Sequence, residues 1–187
     1  MFLTLLVICV AAGAALALVK NATDAPIRQA RNAQQENAIK EVLPEFDELQ
    51  TEKKALEKPS VQSRLHKQAG ADSLVLYHAF KNGEPVGTAV ETFTDKGFGG
   101  EIRLMVGFLT DGSICRSRVL SHTETPGLGS KMTEPAFYRQ FEGKHPDRFR
   151  LQVKKDGGDV QAITAATISS RAYCDALNTA SSMVKPE

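Results

Sequence analysis

Two short segments carry the residues through which this chain could do chemistry. The first, His122-Thr123-Glu124-Thr125-Pro126-Gly127-Leu128-Gly129-Ser130-Lys131, sets an imidazole, a carboxylate and several hydroxyls in a loop shaped by two glycines and a proline. Backbone N–H groups in such a loop can approach a ligand closely, as recognition of a planar polar ring requires. Composition alone favours an ordinary connection. The second, Gln161-Ala162-Ile163-Thr164-Ala165-Ala166-Thr167-Ile168-Ser169-Ser170, gathers small and hydroxyl-bearing residues at the entry to an amphipathic run. A helix starting there leaves unpaired N–H donors and partial positive charge at its entrance, which stabilise a phosphate or phosphodiester. Thr167 is placed to meet one. Composition alone favours capping by Thr164, Thr167, Ser169 and Ser170. His122 and Glu124 also admit a hydrolase arrangement of base and orienting carboxylate, although no G-x-S-x-G elbow occurs.

The elements that must position these segments follow from periodicity. From Ser73 onward, short β-prone runs alternate with turns: Leu74 to Phe80 and Val86 to Phe93 around Asn82-Gly83, then Glu101 to Leu109 and Ser113 to Leu120 around Asp111-Gly112. Two hairpins in succession predict a four-stranded antiparallel sheet. Helical spacing returns over Glu134 to Phe141, where Phe137 and Phe141 share a face, and over Ser169 to Met183, where Ala172, Ala176, Ala180 and Met183 do. The expected domain is therefore α+β, with helices packed on one side of the sheet.

Upstream the chain changes character. Phe2 to Val19 is an uncharged run of 18 residues, about 27 Å as a helix and long enough to cross a bilayer core. A signal peptide is the competing reading, since Ala15-Leu16-Ala17 offers a small-x-small site, but no basic n-region precedes the run. Lys20, Arg28 and Arg31 follow it and, taken alone, would retain the C-terminal side in the cytoplasm. The expectation is instead that a short basic tail lies upstream of Met1. Thr23 or Asp24 is expected to cap a second helix with Pro26 in its first turn and Ile27, Ala30, Ala38, Ile39 and Val42 as its stripe, ended by Leu43-Pro44. Asp47 to Ala71 reads as polar linker with one short helix. The expected organisation is thus an anchor over 1–20, a helical and linker segment over 21–72, and a folded domain over 73–187.

Composition excludes several classes. The chain has 187 residues, and 23 Lys and Arg against 22 Asp and Glu leave a net charge of +1, with no electrostatic basis for nucleic-acid binding. Cys9, Cys115 and Cys174 are far apart and show no C-x-x-C spacing, so no cysteine metal site is expected. A bridge between Cys115 and Cys174 is left open.

Together the two motifs resemble those of a known family. The run from His122 to Gly129 is similar to the His-x-Glu-Thr-Pro-Gly-Leu-Gly loop of the RnfG family, the G subunits of bacterial Rnf complexes, and of the related C subunit of the sodium-translocating NADH:quinone reductase. The run from Ala162 to Ser170 resembles the same family's flavinylation motif, Asp-x-x-Ser/Thr-Gly-Ala-Thr. The resemblance implies an FMN-binding domain on a single transmembrane helix, extracytoplasmic at the cell inner membrane, within a complex that couples electron flow between ferredoxin and NAD to Na⁺ or H⁺ translocation. It implies FMN joined covalently through its phosphate to Thr167 by a flavin transferase that uses FAD. Thr164, Ala165 and Ala166 would form the backbone cradle. Glu124, Thr125, Gly127, Leu128 and Gly129 would meet the isoalloxazine ring, and Lys131 would neutralise the phosphate unless it is a plain surface lysine. Expected partners are other membrane subunits, the transferase and lipid. No catalytic or metal-binding residue is expected. The C subunit of the quinone reductase and a free-standing anchored FMN domain are the alternatives within flavin chemistry. Two positions depart from the motif: Ala165 stands for its glycine and Gln161 for its aspartate. Where that glycine position needs positive φ, alanine costs on the order of 1 to 2 kcal/mol.

Overall fold

Alternating burial along the strands shows how the sheet is made. In the computed structural model, which describes residues 2–55 and 73–184, five antiparallel strands lie in chain order: β1 (Glu48–Ala55), β2 (Ser73–Lys81), β3 (Glu84–Thr94), β4 (Ile102–Leu109) and β5 (Ile114–His122). Both expected hairpins form. Asn82 and Gly83 turn the first with φ of 53° and 83°, the paired positive values that match the twist of the flanking strands. In the second, the Asp111 carboxylate accepts the Ser113 N–H at 2.9 Å and hydroxyl at 2.6 Å.

The helices are α1 (Phe2–Val42), α2 (Pro135–Tyr138) and α3 (Thr167–Val184). Ile102, Leu104, Val106 and Phe108 of β4 face a core completed by Ala172, Tyr173, Ala176, Leu177 and Ala180 of α3. This is the face expected for the last helix. Tyr173 is fully buried, stacks on Phe141 at 5.3 Å and meets Phe137 edge-on at 5.2 Å. Its hydroxyl is not orphaned, because it hydrogen-bonds Ser117 at 2.7 Å. At the end of β3, Thr94 donates to Asp175 at 2.9 Å, tying the strand to α3.

Four expectations are corrected. The linker read over Asp47 to Ala71 begins with strand β1, which pairs with β2 from Glu48↔Phe80 to Ala55↔Ser73. Its exposed, charged outer surface hid it, since a half-solvated edge strand has no sustained apolar run. The short helix expected further along falls within 56–72, outside the described residues. Second, the span and the helix after it are one 41-residue helix, with Pro26 inside it. Pro26 has no N–H to donate to the Ala22 carbonyl one turn back, and Ala22 is exposed rather than buried. Third, Glu134 to Phe141 is a four-residue α-helix followed by a 3-10 turn over Arg139–Phe141. Fourth, the helices do not all lie on one side. Ala38, Ile39, Val42 and Leu43 cover Ala79, Ala89 and Met105 on the opposite face of the sheet. Gly107 makes this approach possible, because a Cβ there would collide with the Val42 carbonyl oxygen.

The chain divides into two compact units, 1–36 and 37–187, so residues 37–55 pack with the sheet rather than with a linker. The N-terminal unit carries an apolar window of mean hydropathy 2.1. Cys9, Cys115 and Cys174 are all free thiols, so the bridge left open is not formed.

Candidate functional site

The start of α3 is built by side chains that brace it from behind. The Ser170 hydroxyl accepts the Ile163 N–H at 2.9 Å and donates to the Ala166 carbonyl at 3.0 Å, locking the turn that precedes the helix. Gln140 holds the entry to that turn, accepting the Gln161 N–H at 2.8 Å. Within it Ala165 has φ of 61°, the left-handed conformation that costs a Cβ-bearing residue on the order of 1 to 2 kcal/mol. The glycine position of the motif therefore does require positive φ here. Asp159 cannot stand in for the missing aspartate at Gln161, since its carboxylate accepts the Arg150 N–H at 2.7 Å.

Thr167 is the first residue of α3 and is half-buried. The residue before it, Ala166, accepts the Ser170 N–H at 3.1 Å and has no hydroxyl to offer. Among the described residues, neither Thr164 nor Thr167 donates or accepts a side-chain hydrogen bond, so the capping alternative is not realised by either. A helix leaves the N–H groups at its start without partners inside it, and Thr167 is the residue at that start.

Glu124 brings the two motif segments together. It is 4% exposed, and its carboxylate accepts the Gly99 N–H at 3.0 Å and the Ser169 hydroxyl at 2.5 Å. One side chain thus ties the Gly97–Gly100 turn, its own loop and the first turn of α3. Gly129 permits this, because a Cβ there would run into Glu124 and Ser169. His122 does not meet the Glu124 carboxylate. Its Nδ1 accepts the Glu124 backbone N–H at 3.2 Å, so the base and orienting carboxylate of the hydrolase reading are not assembled.

The braced elements enclose a cavity of about 340 Å³ lined by Glu124, Thr125, Leu128, Gly129, Ala165, Ala166 and Thr167, seven of the ten residues expected from the motifs. The other three lie off the lining. Gly127, with φ of 76°, shapes the loop, and its N–H donates to the Ser130 hydroxyl at 2.8 Å. Thr164 and Lys131 are exposed. Phe98, Ile168 and Ser169 complete the lining. Sequence reasoning missed Phe98, which lies far from both motifs; an aromatic among glycines in Gly97-Phe98-Gly99-Gly100 was the available signal. Phe98 is 69% exposed, and Leu128 and Ile168 also present apolar surface to solvent.

The cavity suits FMN in kind: its lining includes the first residue of a helix, with a hydroxyl, as a phosphate requires, and the apolar side chains of Phe98, Leu128 and Ile168, as a planar ring requires. Farther along α3, Arg171 holds Asp156 at 2.6 and 2.7 Å, and that hydrogen bonding keeps the Asp156 carboxyl below the usual range.

Comparison with known proteins places the domain in a family. Residues 97–182, which contain every lining residue, match the model of an FMN-binding domain. The chain is 34% identical over 182 residues to the G subunit of the ion-translocating oxidoreductase complex of Vibrio parahaemolyticus, covering 94% of this chain and 83% of that protein. It is 42% identical over 117 residues to the protein of the same name in Shewanella baltica, where the match spans 59% of this chain and about half, 55%, of the relative. A solved structure, that of Shewanella oneidensis NqrC, aligns with a TM-score of 0.48 at 20% identity, over 71% of this chain and 68% of that one.

Proposed function

This chain belongs to the family of ion-translocating oxidoreductase complex G subunits, and on that premise we propose that it is a membrane-anchored electron-transfer protein whose FMN is esterified through its phosphate to Thr167. The observation that carries the reading is the meeting of both motif segments around one cavity, with the Thr167 hydroxyl at the open end of α3. FMN bound there supplies one- and two-electron redox chemistry, and the protein supplies binding, orientation and surroundings.

Each residue then has a definite task. The first-turn N–H groups of α3 hold phosphate charge at the helix entrance. Ala165 and Ala166, short and tightly turned, let the backbone approach it. Phe98, Leu128 and Ile168 offer apolar contact to the ring, and Glu124 keeps the three walls in register. Thr125 lines the cavity beside them, while Thr164 and Lys131 are exposed outside the lining. Attachment forms a threonyl phosphoester by transfer from FAD, with AMP leaving, and requires a flavin transferase.

The apolar helix over the N-terminal unit supports a single-pass anchor in the cell inner membrane, with the flavin domain outside the cytoplasm. A covalent tether suits that side, where lost flavin is not readily replaced. The neighbouring membrane subunits would be the electron donor and acceptor in an assembly that couples ferredoxin and NAD electron transfer to movement of Na⁺ or H⁺. The test is intact mass of the chain coexpressed with a flavin transferase. A gain of one FMN less water, absent from Thr167→Ala, is expected; an unmodified mass for the native chain, or retained flavin mass in Thr167→Ala, overturns the assignment.

A further inference from the structure

Among the described residues, Glu124 is the one ionisable side chain on the cavity lining, and it is buried. Its carboxylate accepts hydrogen bonds from two neutral donors, the Gly99 N–H and the Ser169 hydroxyl. The cations on the elements around it are engaged elsewhere. Lys96, at the entry to the Gly97–Gly100 turn, pairs with Asp175 at 2.5 Å, Arg103 of β4 with Glu101 at 2.6 Å, and Arg171 of α3 with Asp156 at 2.6 Å. His122 offers Nδ1 as an acceptor to the Glu124 N–H, and Lys131 is exposed outside the lining.

Bracing alone does not call for a charge at this position. A glutamine would still offer a carbonyl oxygen to the Gly99 N–H and an amide N–H to the Ser169 oxygen. A buried carboxylate without a counter-ion is costly to keep, and its field acts on whatever occupies the cavity. Taken as a sphere, a cavity of about 340 Å³ is roughly 9 Å across, inside the Debye length of about 10 Å at 0.1 M salt. Burial weakens that screening further.

We propose that Glu124 lowers the redox potential of the flavin, a role that rests on the cavity being the FMN site. An electron arriving on the ring brings negative charge close to a carboxylate that no cation neutralises, and poorly screened like charges repel. The reduced state is raised relative to the oxidised one, so the bound flavin gives up its electron more readily than it would beside a neutral side chain. The Gly99 N–H and the Ser169 hydroxyl offset part of the charge while they hold it in place. Glu124 therefore has two separable tasks, a hydrogen-bonding one that glutamine can share and an electrostatic one that it cannot.

The test is a redox titration of the full chain in detergent, coexpressed with a flavin transferase, checked for flavin by intact mass and followed by flavin absorbance at an electrode with mediators. Glu124→Gln is expected to shift the midpoint potential upward. Ser169→Ala loosens the same brace but keeps the charge and removes a donor that offsets it, so its potential is expected to fall. A flavin-loaded Glu124→Gln with an unchanged or lower potential overturns the electrostatic role. An upward or absent shift in Ser169→Ala does so as well, which keeps the role testable where Glu124→Gln takes up no flavin. A native chain without flavin mass overturns the FMN reading of the cavity, and this role with it.

Discussion

At Ala165 a side chain pays for a backbone shape that glycine adopts freely. Relief of the left-handed strain is worth about 1 to 2 kcal/mol, against roughly 0.4 to 1 kcal/mol of extra unfolded-chain entropy. Ala165→Gly should therefore stabilise the domain by about 0.5 to 1 kcal/mol in urea denaturation, and it should not lower flavin incorporation. Glu124 is the opposite case, a residue that a motif presents as a ring contact and the fold uses as a brace. Glu124→Ala leaves the Gly99 N–H and the Ser169 hydroxyl without their acceptor, a loss of about 2 to 3 kcal/mol by the same measurement. Glu124→Gln retains one acceptor oxygen and should lose about half as much. Equal stability of wild type and Glu124→Ala would refute the bracing role.

The element that decides the site is the first turn of α3, and what shapes it lies behind the helix rather than in it. Ser170 bonds both Ile163 and Ala166, and Gln140 reaches across to Gln161. Ser170→Ala should cost about 1 to 2 kcal/mol and lower the yield of flavinylated chain by intact mass more than its stability loss explains. Full modification of that variant would show that the turn forms without its brace. Farther along α3, burial pushes the Cys174 thiol up to about 12. A folded value raised above the unfolded one means the contribution is complete below the ordinary thiol value and is lost as pH climbs toward the folded value. Thermal melts of wild type and Cys174→Ala should therefore converge between about pH 8 and pH 11, since only wild type must forgo ionising that thiol.

At the largest scale, the unit over 37–187 is a sheet covered on both faces, one by α3 and the other by the last turn and a half of α1. Ile39, Val42 and Leu43 are buried there, at about 1.5 to 3 kcal/mol each. A chain starting at Asn37 should fold without the apolar helix, whereas one starting at Glu45 should lose on the order of 5 kcal/mol by urea denaturation. Comparable stability of the two would show that the second face needs no cover. Much of this was legible beforehand: the two hairpins, the α+β class and the apolar stripe of α3 were set by local chemistry, namely turn residues with positive φ and side-chain period, whereas the two site segments stood out only through their resemblance to family motifs. β1 was not legible, because a charged edge strand looks like linker until its neighbour is present to pair with it. Phe98 was not either, since it reaches the cavity through a carboxylate 26 residues away that binds the turn beside it. Thr167 could be picked out by its motif, but whether its hydroxyl capped the helix or faced a cavity was decided only by the fold. Thr167 lines the cavity, while the turn before it is fixed by Ser170 and the first turn of α3 by the bond from Ser169 to Glu124; the two partners of that last bond come from separate loops, so only the folded chain brings them together.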